Sequence, residues 1–129
     1  MQLGYVIVYV PDVVRAIEFY ERAFGLTRKF VDESGYGELA TGDTALGFTS
    51  EALRATIGIE AVDNRPTATP AGAEIALITD DVQAAYDRAV AAGAQGYLKP
   101  DAKPWGQTVA YVRDLNGFLV ELCTPIETQ

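Results

Sequence analysis

The side chains able to do chemistry in this sequence are acids and phenols set into apolar runs, and no histidine accompanies them. The absence of histidine from all 129 residues excludes imidazole general-base catalysis, Ser-His-Asp and Cys-His dyads, and a two-His-one-carboxylate iron site. Glu121 lies within Phe118-Leu119-Val120-Glu121-Leu122, where a carboxylate is costly to bury without a partner or a purpose. Two readings compete for it: a functional acid, or a strand-face carboxylate satisfied by a neighbouring hydroxyl or amide. Glu74 opens a second apolar run directly after Pro70-Ala71-Gly72-Ala73, a position that leaves it partly in solvent.

Tyr5, Tyr9 and Tyr111 could line a binding surface, although each by itself reads first as a core aromatic. Trp105 stands in a loop between Lys103-Pro104 and Gly106. There it either stacks a planar ligand or staples the loop to a sheet. Cys123 is the single cysteine, so it forms no intrachain disulfide. With no basic residue near it in sequence, it reads as an inert thiol. Arg113-Asp114 reads as part of a turn and its ion pair.

The elements that must hold these groups are stated twice. An apolar run over 5–10 followed by Asp12-Val13 recurs as a run over 74–79 followed by Asp81-Val82. In the first copy Asp12 caps a helix reaching Phe24, with Val13, Ala16, Ile17, Tyr20 and Phe24 in one apolar stripe and Gly25 at the left-handed position beyond it. Strands are predicted over 28–32, 37–41 and 44–49, with Gly42-Asp43 as a tight turn. In the second copy Asp80 or Asp81 caps a helix closed by Gly93. Strands follow over 96–99, 108–113 and 118–123, with Leu115-Asn116-Gly117 as a turn. The β-branched 5–10 run predicts a strand covered on both faces. Residues 51–72, with Pro66 and Pro70, read as a loop-rich connector holding one helical turn after Ser50.

Period-two alternation puts Tyr5, Ile7 and Tyr9 on one face of the first strand and the valines on the other; Glu74, Ala76 and Ile78 share the corresponding face of its repeat. Composition narrows the partners. Ten basic and eighteen acidic residues leave a net charge of −8, which opposes nucleic acid and anionic membranes. No run approaches the ~18 apolar residues that cross a bilayer, and no signal segment opens the chain, so a cytoplasmic location is expected.

The order strand, helix, three strands, stated twice, resembles the vicinal-oxygen-chelate superfamily of glyoxalases, bleomycin resistance proteins and extradiol dioxygenases. The residues carrying the resemblance are Val10-Pro11-Asp12, Phe19-Tyr20 and Phe24-Gly25-Leu26 in the first copy. In the second they are Asp81-Val82, Tyr86, Ala92-Gly93, 103–107 and Arg113-Asp114-Leu115-Asn116-Gly117 leading into Leu119-Val120-Glu121-Leu122. The resemblance implies an α+β fold: two tandem βαβββ modules whose curled mixed sheets form half-barrels around a cleft, with helices on the convex side. One domain over 1–129 is then expected, with modules over 1–50 and 73–126 joined by 51–72, and a homodimer.

Metal-dependent relatives draw ligands from the first and last strand of each module. By position these slots fall at Tyr5, Glu74, Glu121 and either Gly47 or Phe48. Two carboxylates among four slots make a metal or other cofactor unexpected, although Glu38 or Glu51 could replace a missing ligand in an atypical divalent site. The resemblance places Tyr5, Ile7, Tyr9, Phe48, Glu74, Trp105, Tyr111 and Glu121 at a ligand. The leading expectation is metal-independent binding of an aromatic or cationic small molecule, as in antibiotic sequestration. The alternatives are a glyoxalase-like lyase or isomerase with Glu121 or Glu74 as general base, and a structural or regulatory protein whose cleft is filled by its own side chains.

Overall fold

The computed structural model describes residues 1–126. They fall into two compact units, Met1–Asn64 and a second from Arg65 onward, each built around a four-stranded mixed sheet in an α+β arrangement. The first unit runs β1 (Tyr5–Val10), α1 (Val13–Phe24), β2 (Thr27–Asp32), β3 (Tyr36–Ala40), β4 (Ala45–Ser50) and α2 (Glu51–Ile57). The second runs β5 (Glu74–Ile78), α3 (Val82–Ala91), β6 (Gln95–Ala102), β7 (Thr108–Arg113) and β8 (Leu119–Cys123).

The sheet orders are β1-β4-β3-β2 and β5-β8-β7-β6, the same topology twice. In each, the first strand pairs in parallel with the last, and the remaining pairs are antiparallel. Neither sheet closes on itself.

Local signals explain the helix boundaries. Asp12 accepts from the Arg15 amide at 3.1 Å, Ser50 from Leu53 at 3.0 Å and Asp81 from Ala84 at 3.0 Å, each satisfying an amide the helix cannot. Gly25 ends α1 at φ 68°, the left-handed conformation a Cβ disfavours. After Ser50 stands a seven-residue helix, α2, longer than the single turn the connector's composition indicates, because the serine cap and the run Glu51-Ala52-Leu53-Arg54-Ala55 favour helix until Gly58.

One face of each sheet makes the core. Val8, Val10, Leu46 and Phe48 are buried with Ile17, Phe19 and Tyr20 of α1, and Phe48 meets Tyr20 with ring centroids 5.0 Å apart. In the second unit Ala110, Val112, Val120 and Leu122 are buried, as are Val82 and Ala89 of α3. β1 is not covered on both faces: Tyr5 is 61% and Ile7 45% exposed, because β1 is an edge strand whose alternate side chains point away from α1. Among the described residues no helix is long and apolar enough to cross a membrane.

Candidate functional site

The register of the second sheet gathers its acids. Tyr111 lies opposite Glu121, and Ala76 opposite Glu121 on the other side; Glu74 lies opposite Leu119. Since Val112, Val120 and Leu122 occupy the buried alternation, Glu74, Tyr111, Glu121 and Cys123 share the opposite face. The Tyr111 hydroxyl donates to Glu121 Oε1 at 2.8 Å and is also hydrogen-bonded to Glu74.

Among the described residues no basic side chain is recorded in this group. The Glu74 carboxyl is raised above the ordinary range by desolvation and by the Glu121 charge, against a lowering bond from Tyr111. Desolvation, reinforced by Glu121 and Glu74, raises the Tyr111 phenol. The same three causes, desolvation first, push the Cys123 thiol up to about 11. Burial and the two neighbouring acids both disfavour the Cys123 thiolate.

The first unit carries a different acid on the matching face. Gly47 is opposite both Ile7 and Glu38, which resolves the register: Gly47, not Phe48, corresponds to Glu121. Phe48 is therefore corrected from ligand contact to core, since its ring points to α1. Tyr36 fills the space above Gly47, where a Cβ would stand 2.5 Å from its hydroxyl. That hydroxyl donates to Glu38 Oε2 at 2.8 Å, and Lys29 Nζ is 3.6 Å from Glu38 Oε1. Desolvation first, then Glu38, raises the Tyr36 phenol, with Tyr5 a further contributor. Tyr36 was legible in principle, being two residues before Glu38 and hence on the same strand face.

The remaining expected residues each have contacts of their own within their units. Tyr9 lies beneath the Arg54 guanidinium, 5.2 Å from ring centroid to Cζ, so one of its faces is already used. Trp105 is 62% exposed, and its indole N–H donates to Gln107 Oε1 at 2.7 Å, which fixes the ring to its own loop. Arg113 and Asp114 hold the turn between β7 and β8 through bonds to the backbone. Arg113 donates to backbone carbonyls, including Gly117 O at 2.9 Å, while Asp114 Oδ1 accepts from the Asn116 and Phe118 amides. A hollow of about 350 Å³ in the second unit is bordered by Asp81, Asp101 and Thr108 and not by Glu74 or Glu121.

The residues present do not suit a transition metal. In the first unit the slots hold an exposed phenol and a glycine; in the second, two carboxylates are joined only by a phenol whose ionisation is disfavoured. Among the described residues no three His, Cys, Asp or Glu side chains are placed to hold an ion, fewer donors than zinc, nickel or iron takes.

Residues 2–122 match the model of the Glyoxalase/Bleomycin resistance protein/Dioxygenase superfamily, and the chain belongs to that superfamily. Solved structures repeat the fold. A glyoxalase-related enzyme from Fulvimarina pelagi is 24% identical, with TM-score 0.81 over 97% of this chain and 88% of that one. A glyoxalase/bleomycin resistance protein/dioxygenase family enzyme from Burkholderia phytofirmans PsJN is 19% identical, with TM-score 0.76 over 96% and 98%. TioX from Micromonospora sp. ML1 is 24% identical, with TM-score 0.71 over 96% and 98%. No curated protein matches the sequence.

Proposed function

We propose that this member of the superfamily is a metal-independent small-molecule binding protein that holds a cationic, aromatic compound against the open face of its second sheet, in the manner of a sequestering resistance protein. The observation that carries this reading is the pairing of Glu74 and Glu121 around a single phenolic donor, with no basic side chain among their interactions within the described residues. Tyr111 has one proton to donate. Two carboxylates on a partly desolvated face therefore retain acceptor capacity that an ammonium or amidinium group fills with charge-assisted hydrogen bonds. The net charge of −8 favours the approach of a cation. Antibiotic sequestration, a homodimer and a cytoplasmic location are parts of the same proposal; the exposed edge strands β1 and β5 offer association surfaces.

The raised Glu74 carboxyl supports a second reading, a lyase or isomerase in which Glu74 or Glu121 moves a proton at a carbon acid. One experiment separates the two. Aromatic amines are screened by thermal shift, and the best binder is titrated into wild type and Glu121→Gln. Under the binding reading the substitution weakens affinity by about 1.5–3 kcal/mol, and the loss shrinks with added salt. Unchanged affinity with abolished turnover of a carbonyl substrate would transfer the function to catalysis. Stability changes alone would leave the acids structural.

A further inference from the structure

The turn between β7 and β8 contains Asn116-Gly117, a dipeptide prone to spontaneous chemistry. In such a pair the amide nitrogen of the glycine, once its proton has passed to a base in solution, attacks the carbonyl carbon of the asparagine side chain. The bond to the side-chain nitrogen breaks and ammonia leaves. Water then opens the cyclic imide at either carbonyl, giving aspartate or isoaspartate with no redox change. Glycine permits the attack because no Cβ obstructs its nitrogen and its backbone rotates freely. Asn64, the other asparagine, is followed by Arg65, which has neither property.

The fold demands this dipeptide and restrains it. Gly117 is buried at φ 88°, and an added Cβ would collide with Arg65 O and the Arg113 guanidinium, which leaves room for no other residue. Its N–H donates to Asp114 O at 3.0 Å, and its carbonyl accepts from Arg113 Nε at 2.9 Å. On either side of it the Asn116 and Phe118 amides both donate to Asp114 Oδ1, at 2.8 and 2.9 Å. Asn116 itself is only half-buried.

We propose that Asn116 is a deamidation site held latent by this turn: the reaction runs through openings that release the Gly117 nitrogen from Asp114, and the Arg113 clamp on Gly117 sets how often they occur. A nitrogen held as a donor in a closed turn neither loses its proton readily nor rotates toward the side-chain carbon. Where opening and closing are fast relative to the chemistry, the native rate is the unfolded rate multiplied by the open population. The product matters to the acidic face, since an isoaspartyl link adds a carbon to the main chain between the strands that carry Tyr111 and Glu121.

The intact protein is incubated in mildly alkaline buffer, folded and in urea, and the peptides containing Asn116 and Asn64 are followed by mass spectrometry with isoaspartate detection. Asn116 is expected to deamidate readily in the unfolded chain and at least about tenfold more slowly in the folded protein, with Asn64 slow in both. Exchange of the Gly117 amide hydrogen in the folded protein is expected to be slowed by a similar factor. Arg113→Lys, which lacks the Nε donor, is expected to speed deamidation and exchange together; should it fold poorly, the wild-type comparison decides alone. An unfolded chain that leaves Asn116 intact, or equal Asn116 rates in the folded and unfolded protein, would overturn the proposal. So would a Gly117 amide that exchanges freely while Asn116 stays protected, or a folded Arg113→Lys variant in which neither rate moves.

Discussion

The two units repeat one topology and dispose of an acid in opposite ways. In the first, the residue opposite Gly47 is Glu38, which receives the Tyr36 hydroxyl and has Lys29 at 3.6 Å. In the second, the residue opposite Glu121 is Tyr111, and the added charge nearby is another acid, Glu74. The first face is locally neutral and its ligand slot is filled by Tyr36; the second carries two acids on one phenol. After duplication of a fold, one copy can complete its own hydrogen bonding and the other retain capacity for a ligand. The buried arginines reverse the assignment, since each guanidinium nitrogen of Arg113 in the second unit has a carbonyl partner, whereas Nε and Nη1 of Arg54 in the first have none among the described residues.

The arginine contrast makes the largest effect. Arg113→Leu strands several carbonyls in a buried turn and is expected to cost about 3–5 kcal/mol in urea unfolding. Arg54→Leu leaves behind chiefly Asp63, itself 40% exposed, and should stay within about 1 kcal/mol of wild type. Equal losses would erase the distinction between a satisfied and an incomplete guanidinium.

Next comes Cys123. A thiol held at about 11 has roughly a hundredfold less thiolate at pH 8 than one at its ordinary value, and burial slows it further. Alkylation of the native protein by iodoacetamide is therefore expected to be slower than that of the urea-unfolded chain by at least about two orders of magnitude. Comparable rates would mean that the acidic face does not hold the thiol neutral.

Gly47→Ala tests the neutral face. Its Cβ would press the Tyr36 hydroxyl away from Glu38, with an expected cost of about 1–3 kcal/mol and no change in amine binding at the other unit. Loss of amine binding in this variant would argue that the two faces act together.

The smallest effect is that of pH. Because the folded Glu74 carboxyl is raised, the native state binds its proton more tightly than the unfolded chain. This group's contribution therefore makes the protein more stable as pH falls through the raised folded value, levelling off below the unfolded value. Glu74→Gln should remove that component from a thermal-unfolding series across mildly acidic pH, and Glu121→Gln should reduce it by deleting the like charge. A series unchanged by both substitutions would show that the pair does not share a desolvated site.

The repeat, both capped long helices and the order of elements along the chain were readable from the sequence, because capping residues and period-two or helical apolar spacing are local properties; the order of strands within each sheet was not. Glu74 and Glu121 could be nominated for the same reason: an acid among strand-forming apolar residues stands out. Which acid lacks a counter-charge could not be read. Lys29 reaches Glu38 because β2 lies beside β3, and Tyr111 reaches Glu121 by the pairing of β7 with β8. The choice between Gly47 and Phe48 turned on strand register, which slips by one residue without altering the apolar pattern enough to notice. Arg54, in a segment expected to be mainly loop, owes its burial to what surrounds it: its place over Tyr9 arises only when α2 is packed against β1, a strand distant in sequence.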